Sequence, residues 1–154
     1  MILKIQAYRK QKKSFDFLLS DFNAIKRFVL ELLIIAKENH EEVVILTNSS
    51  DSIVYQVIRF GLIDYVIHHN IPYKIFIKGA DVNSIDSELI QILKKKDVAY
   101  LPFKGSSGKI QDLFLIGNCR YLYQINNQTI ANFNDKIHAL RLQNIMKKMI
   151  KNFL

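Results

Sequence analysis

The chain has 154 residues, 49% hydrophobic and 23% charged, with only 5 Gly and 2 Pro. That composition excludes a disordered or collagen-like chain and fits one packed domain over 1–154, long enough to bury about two-thirds of its unfolded surface. The formal charge is +8, and the single cysteine, Cys119, excludes an intrachain disulfide and points to a reducing compartment such as the cytoplasm.

Residues 2–8 (ILKIQAY) alternate apolar and polar and predict a short first strand. A basic stretch and Ser14 follow, then FDFLLSD, whose type is ambiguous. From Asp21, the residues Phe22, Ile25, Phe28, Val29, Leu32, Leu33 and Ala36 recur at helical spacing to about Asn39, which predicts a helix. EEVVILTNS reads as a buried strand, a β-branched run with charges before it and polar residues after it. Asn48 to Ser52 can cap a helix carrying Ile53, Val54, Val57, Ile58, Gly61, Leu62, Tyr65 and Val66 on one stripe, which stops before Pro72. YKIFIKG is the next strand. Ser84 to Lys96 forms an amphipathic helix whose Lys94-Lys95-Lys96 end suits the helix dipole. VAYLPF is a strand, and LFLIG and RYLYQI form two more, joined tightly through Asn118 and Cys119. A closing helix starts near Asn134 or Asp135, with Ile137, Leu140, Ile145, Met146, Met149, Ile150 and Phe153 as its apolar set.

This alternation predicts an α/β fold: a mixed, mostly parallel sheet flanked by helices, with an antiparallel edge. The N-terminus has charge without a following apolar region or cleavage site, and the most apolar run, Phe28 to Ala36, is short and contains Glu31. Neither a signal peptide nor a membrane span is expected.

The positive charge is concentrated. Arg9, Lys10, Lys12 and Lys13 near the N-terminus, and Lys136, Arg141, Lys147, Lys148 and Lys151 near the C-terminus, stand against one acid, Asp135, and hold the whole excess. This favours an acidic partner such as nucleic acid, another polyanion or an anionic protein face; a solvated helix face plus a basic loop is the alternative. The loop Lys104-Gly105-Ser106-Ser107-Gly108-Lys109 is small and basic, and serves either as a phosphate contact or as a linker. Thr47 to Asp51 follow a strand and precede a helix, where backbone N–H groups can hold an anion or side chains can cap. That turn contains no glycine, so it is neither a P-loop nor a dinucleotide fingerprint.

His40, His68, His69 and His138 include no pair at the i, i+4 spacing of a helical metal site, so no metal or cofactor is expected. Cys119 beside Arg120 has no histidine close in sequence and reads as a bystander thiol. Tyr121 and Tyr123 share one face of a strand, where they either stack on a base or cover a core edge.

The stretch from Gly108 to Asp135 narrows the fold. KIQDLFLIGNCRYLYQ reads as a hairpin, and Ala131-Asn132-Phe133-Asn134-Asp135 as an Asn-rich turn opening the last helix. This layout resembles a phospholipase D-like domain, in which a strand carries His-x-Lys-x4-Asp, a turn follows, and a Gly-Ser-x-Asn-like segment leads into the final helix. From about Ser14 onward the chain is similar to degenerate members of that superfamily. The resemblance implies a phospholipase D-like half and a homodimer, since one-motif members pair two copies across a two-fold axis. The best-matching frame places Gln111, Leu113 and Asn118 where histidine, lysine and aspartate belong, with Asn132 and Asn134 in the later segment. Gln111 cannot act as the phosphorus-attacking nucleophile, and Leu113 cannot stabilise the transferring phosphoryl group. Lys109 lies two residues too early to replace that lysine.

Three readings result. The first is a non-catalytic phospholipase D-like module whose basic residues contact nucleic acid or another polyanion. The second is a structural or regulatory subunit working through protein–protein contact. The third is a residual phosphodiesterase or nuclease using displaced residues such as Lys109 and Asp112.

Overall fold

The computed structural model describes residues 1–48, 57, 66, 68–78, 100–103 and 110–151. The expected helices over 53–66 and 84–96, the loop with Lys104 and Lys109, and the Ser49-to-Asp51 part of the turn after the first expected buried strand lie outside the described residues, apart from isolated positions.

The first element is a helix, α1 (Ile2–Gln11), where the alternation predicts a strand. Ile2, Ile5 and Tyr8 also recur every three residues, so so short a segment satisfies both periods. Packing decides between them. Ile5 is buried and Tyr8 lies against the core, while Arg9 forms an ion pair with Glu31 of α2 (Phe22–Asn39). The ambiguous segment becomes an edge strand, β1 (Phe17–Leu19). Asp21 caps α2, accepting hydrogen bonds from the N–H groups of Asn23 at 2.7 Å and Ala24 at 3.2 Å.

The remaining strands are β2 (Val43–Asn48), β3 (Tyr73–Lys78), β4 (Tyr100–Phe103), β5 (Ile110–Ile116), β6 (Arg120–Ile125) and β7 (Gln128–Asn132), followed by α3 (Lys136–Lys151). They form one sheet in the order β1-β7-β6-β5-β2-β3-β4. Only the β2–β3 and β3–β4 pairs are parallel; the other four neighbours are antiparallel. The expectation of a mostly parallel sheet is therefore corrected to a mixed, mostly antiparallel one.

For the β5–β6 and β6–β7 pairs the physical reason lies in the turns. The β5–β6 connection spans Gly117, Asn118 and Cys119, and Asn126 and Asn127 both adopt positive φ (50° and 62°) in a two-residue hairpin between Ile125 and Gln128. Connections this short permit only antiparallel neighbours. The strand β7, read from the sequence as part of a turn, is the element missed. Asn-Asn between RYLYQI and QTIAN is its local signal.

The two faces of the sheet carry separate cores. Phe114, Ile116, Leu122 and Ala131 face α1 and α2, together with Phe17, Phe28 and Phe133. Leu113, Leu115, Tyr121 and Tyr123 face α3 and meet its Ala139, Leu142 and Met146. Here a second expectation is corrected: Ile137, Leu140 and Ile145 of the expected apolar set are exposed. The start of α3 sets its rotation. The Asp135 N–H donates to the Cys119 carbonyl at 2.7 Å, and Asp135 Oδ1 accepts from the His138 N–H at 3.0 Å. Among the described residues no helix is long and apolar enough to cross a membrane.

Candidate functional site

Two polar assemblies lie near the end of the sheet where β6 begins, β7 ends and α3 starts. The first surrounds Asn132, at the end of β7 and only 1% exposed. Its Oδ1 accepts from the N–H groups of Phe15 at 3.3 Å and Asn134 at 2.9 Å. Its Nδ2 donates to Asp16 Oδ1 at 3.0 Å and lies 3.4 Å from Ser14 Oγ. Both ends of the amide are used, so Asn132 clamps the segment before β1 to the start of α3.

Tyr121 shares the same carboxylate. Its hydroxyl lies 3.0 Å from Asp16 Oδ1 and 3.2 Å from Asp135 Oδ2. One hydroxyl hydrogen serves two acceptors. Burial, then the hydrogen bond to Asp16 and the charges of Asp16 and Asp135, push the Tyr121 phenol far above its ordinary range. Tyr121 is thereby held as a donor and not as a phenolate nucleophile. Burial and the same two carboxylates also raise Tyr123. The His138 ring packs edge-on to Tyr121 at 5.1 Å, and its Nε2 lies 3.0 Å from the Tyr123 hydroxyl.

The second assembly is a cleft of about 200 Å³ beside the C-terminal ends of α1 and α2. Lys10 and Lys12 of the α1 end, Asn39 of α2, Arg120 at the start of β6 and Asn134 before α3 line it over a floor that includes Phe133. Two carboxylates outside the lining fix its guanidinium groups. Glu31, buried in α2, pairs with Arg9 and lies 2.7 Å from Arg27. Glu41 pairs with Arg120 above Gly117, where a Cβ would collide with the Glu41 carboxylate and where φ is +60°. Asn134 Nδ2 donates to the Lys12 carbonyl at 3.0 Å, holding the α1 end against the turn before α3.

The sequence-derived candidates are distributed as follows. Lys10, Lys12 and Asn134 come together in the cleft, and Arg9 lines it while paired to Glu31. Lys13 is exposed, with its ammonium 5.2 Å from the centre of the Tyr8 ring. Lys147 and Lys148 are exposed on α3 and do not line the cleft; eleven residues of helix from Lys136 to Lys147 amount to roughly 17 Å. Lys151 and Gln111 are described in their backbone alone, and the β5–β6 register shifts between Ile110 and Asp112. Leu113 is fully buried against α3, and Asn118 is exposed in the turn.

Sequence reasoning missed Asp16, Glu31, Glu41 and the linkage of Asp135 to Tyr121. Asp135 alone carries a local signal, as a capping residue three positions before His138. The contacts of Asp16 with Tyr121 and Asn132 span 105 and 116 residues, beyond any spacing rule. Among the described residues no group of three or more His, Cys, Asp or Glu side chains is arranged to hold a metal ion.

Compared with protein-family models, with curated proteins and with solved structures, the chain finds no match.

Proposed function

We propose that the chain is a non-catalytic phospholipase D-like module that binds nucleic acid or another polyanion. The observation that carries this reading is the cleft in which Lys10 and Lys12 meet Arg120 and Asn134, beside the segment that resembles the Gly-Ser-x-Asn element.

The order of elements supports the non-catalytic part. In the resembling domains the motif strand runs through one turn into the segment before the last helix. Because the end of β7 enters that segment one turn after β6, β6 takes the place of the motif strand. Reading His-x-Lys-x4-Asp from Tyr121 then sets Tyr121, Tyr123 and Gln128 at the three positions. On this frame the nucleophile's place holds a buried phenol that keeps its proton. On the β5 frame the lysine's place holds Leu113, buried in the core. Neither frame supplies an imidazole nucleophile or a free cation for a transferring phosphoryl group.

A fluorescence-anisotropy titration with short single- and double-stranded oligonucleotides tests the binding part. Affinity should vary little with sequence and fall steeply with salt. Changing Lys12, Lys13, Lys147 and Lys148 together to Gln should weaken binding and flatten the salt dependence. Equal binding by parent and variant at low salt would remove the polyanion reading.

A second reading, self-association or a protein partner, has its own support. Ile137, Leu140 and Ile145 are 71%, 55% and 41% exposed on α3, more apolar surface than a solvated helix needs. Association through such a face should survive high salt, unlike phosphate neutralisation.

A further inference from the structure

We propose that the cleft between the end of α1 and the start of α3 is a phosphate-binding subsite, built by the docking of α1 and centred on Lys10 and Lys12. This deepens the polyanion-binding reading and rests on it.

Three observations carry it. First, the cations of the cleft are of two kinds. Arg9 and Arg120 are each closed by a carboxylate, Glu31 and Glu41, so they form fixed walls. Lys10 and Lys12 are exposed and, among the described residues, have no carboxylate partner. Two exposed ammonium groups in the lining are therefore available to an incoming anion, while Glu38, 4.0 Å from Arg9, is the one acid there.

Second, each helix end beside the cleft has two of its four terminal carbonyls bonded. At the end of α1 the N–H groups of Lys12 and Lys13 donate to the carbonyls of Arg9 and Tyr8; at the end of α2 those of His40 and Glu41 donate to Lys37 and Ala36. Each pair satisfies carbonyls that would otherwise repel an anion. Lys12 takes φ 52° to complete the first pair. Third, Asn39 adds an amide to the lining, and Asn134 keeps one Nδ2 hydrogen beyond its bond to the Lys12 carbonyl, donors suited to the oxygens of a phosphate once charge has brought it in.

The ligand chemistry is a phosphate group, either in a nucleic-acid backbone or in a free nucleotide or polyphosphate. The position of the charge, and not its sum, is the distinguishing claim. Lys10→Gln/Lys12→Gln is compared with Lys26→Gln/Lys74→Gln, which removes the same charge from exposed sites elsewhere on the surface. The probe is a fluorescein-labelled mixed-sequence oligonucleotide, with inorganic pyrophosphate as competitor.

The cleft variant should bind roughly tenfold more weakly at low salt, with a salt slope lower by about 2. The control should change affinity less than twofold. Competition by pyrophosphate assigns the site to free phosphates, and its absence at matched phosphate concentration assigns it to the nucleic-acid backbone. Glu31→Gln adds a test of sign: loss of a negative charge should tighten binding if summed charge governs it. Here it should weaken binding, because α1 loses its anchor, while circular dichroism shows the sheet intact. If the parent binds neither an oligonucleotide nor pyrophosphate, the polyanion reading falls and this inference with it. If the parent binds and the two double variants lose affinity equally, the inference alone is overturned.

Discussion

The hydroxyl of Tyr121 stands 3.0 Å from Oδ1 of Asp16, linking the strand that precedes the β6–β7 turn to the segment that leads into the edge strand. Asn132 donates to the same oxygen, and Asp135 competes for the same hydroxyl hydrogen. Four residues from β1's approach, β6, β7 and the cap of α3 thus form one hydrogen-bonded unit. It holds the N-terminal segment where α1 can wall the cleft.

Tyr121→Phe should lower stability by about 2 kcal/mol, the usual cost of removing a buried hydrogen bond to a charged acceptor. The parent should also lose stability in alkali. A phenol whose folded pKa is raised keeps its proton after the unfolded chain has released its own, so the unfolded state binds fewer protons above about pH 10. Stability is then full below pH 10 and falls as pH rises. In a phenolate-absorbance titration, at least one of the seven tyrosines should ionise only with unfolding. Seven reversible ionisations in the folded protein would contradict this.

Glu31→Gln should destabilise by roughly 2–3 kcal/mol. The carboxylate is 1% exposed and faces two guanidinium groups, Arg9 and Arg27, and removing one member of a buried pair leaves its partners uncompensated. The partners are themselves part-exposed, which keeps the value below the upper range. Urea unfolding measures it, and a change within error would mean that solvent already serves the two arginines.

His40→Gly should raise stability by roughly 0.5–1 kcal/mol. His40 ends α2 at φ 55° and ψ 42°, a left-handed conformation that disfavours any side chain with a Cβ. The urea midpoint should rise at constant slope. A lower midpoint would show that the imidazole makes a compensating interaction.

Ile137→Lys/Leu140→Lys should leave the melting temperature nearly unchanged, because both side chains are exposed. If the protein-contact reading holds, light scattering should find the parent dimeric at micromolar concentration and the variant monomeric. A monomeric parent would remove self-association through this helix.

Much of the architecture was present in local sequence signals. The helix from Asp21, the VVIL run of β2, the strand at Tyr73–Lys78, the hairpin around Asn118 and the start of α3 near Asp135 each depend on neighbours a few residues apart, and each occurs in the fold. The tertiary structure decided what such signals leave degenerate. ILKIQAY satisfies both a strand and a helix period, and docking on α2 through Ile5 and Arg9 selects the helix. The apolar residues of α3 ring the helix, and the Asp135 cap turns Ala139, Leu142 and Met146 inward, leaving Ile137 and Leu140 outside. Short turns imposed the antiparallel β5–β6 and β6–β7 pairs, and the cleft arose by bringing Lys10 and Lys12 to Asn134, 122 residues along the chain from Lys12. Periodicity reports which residues want burial; register, rotation and the meeting of distant side chains follow from packing among elements, which no local window contains.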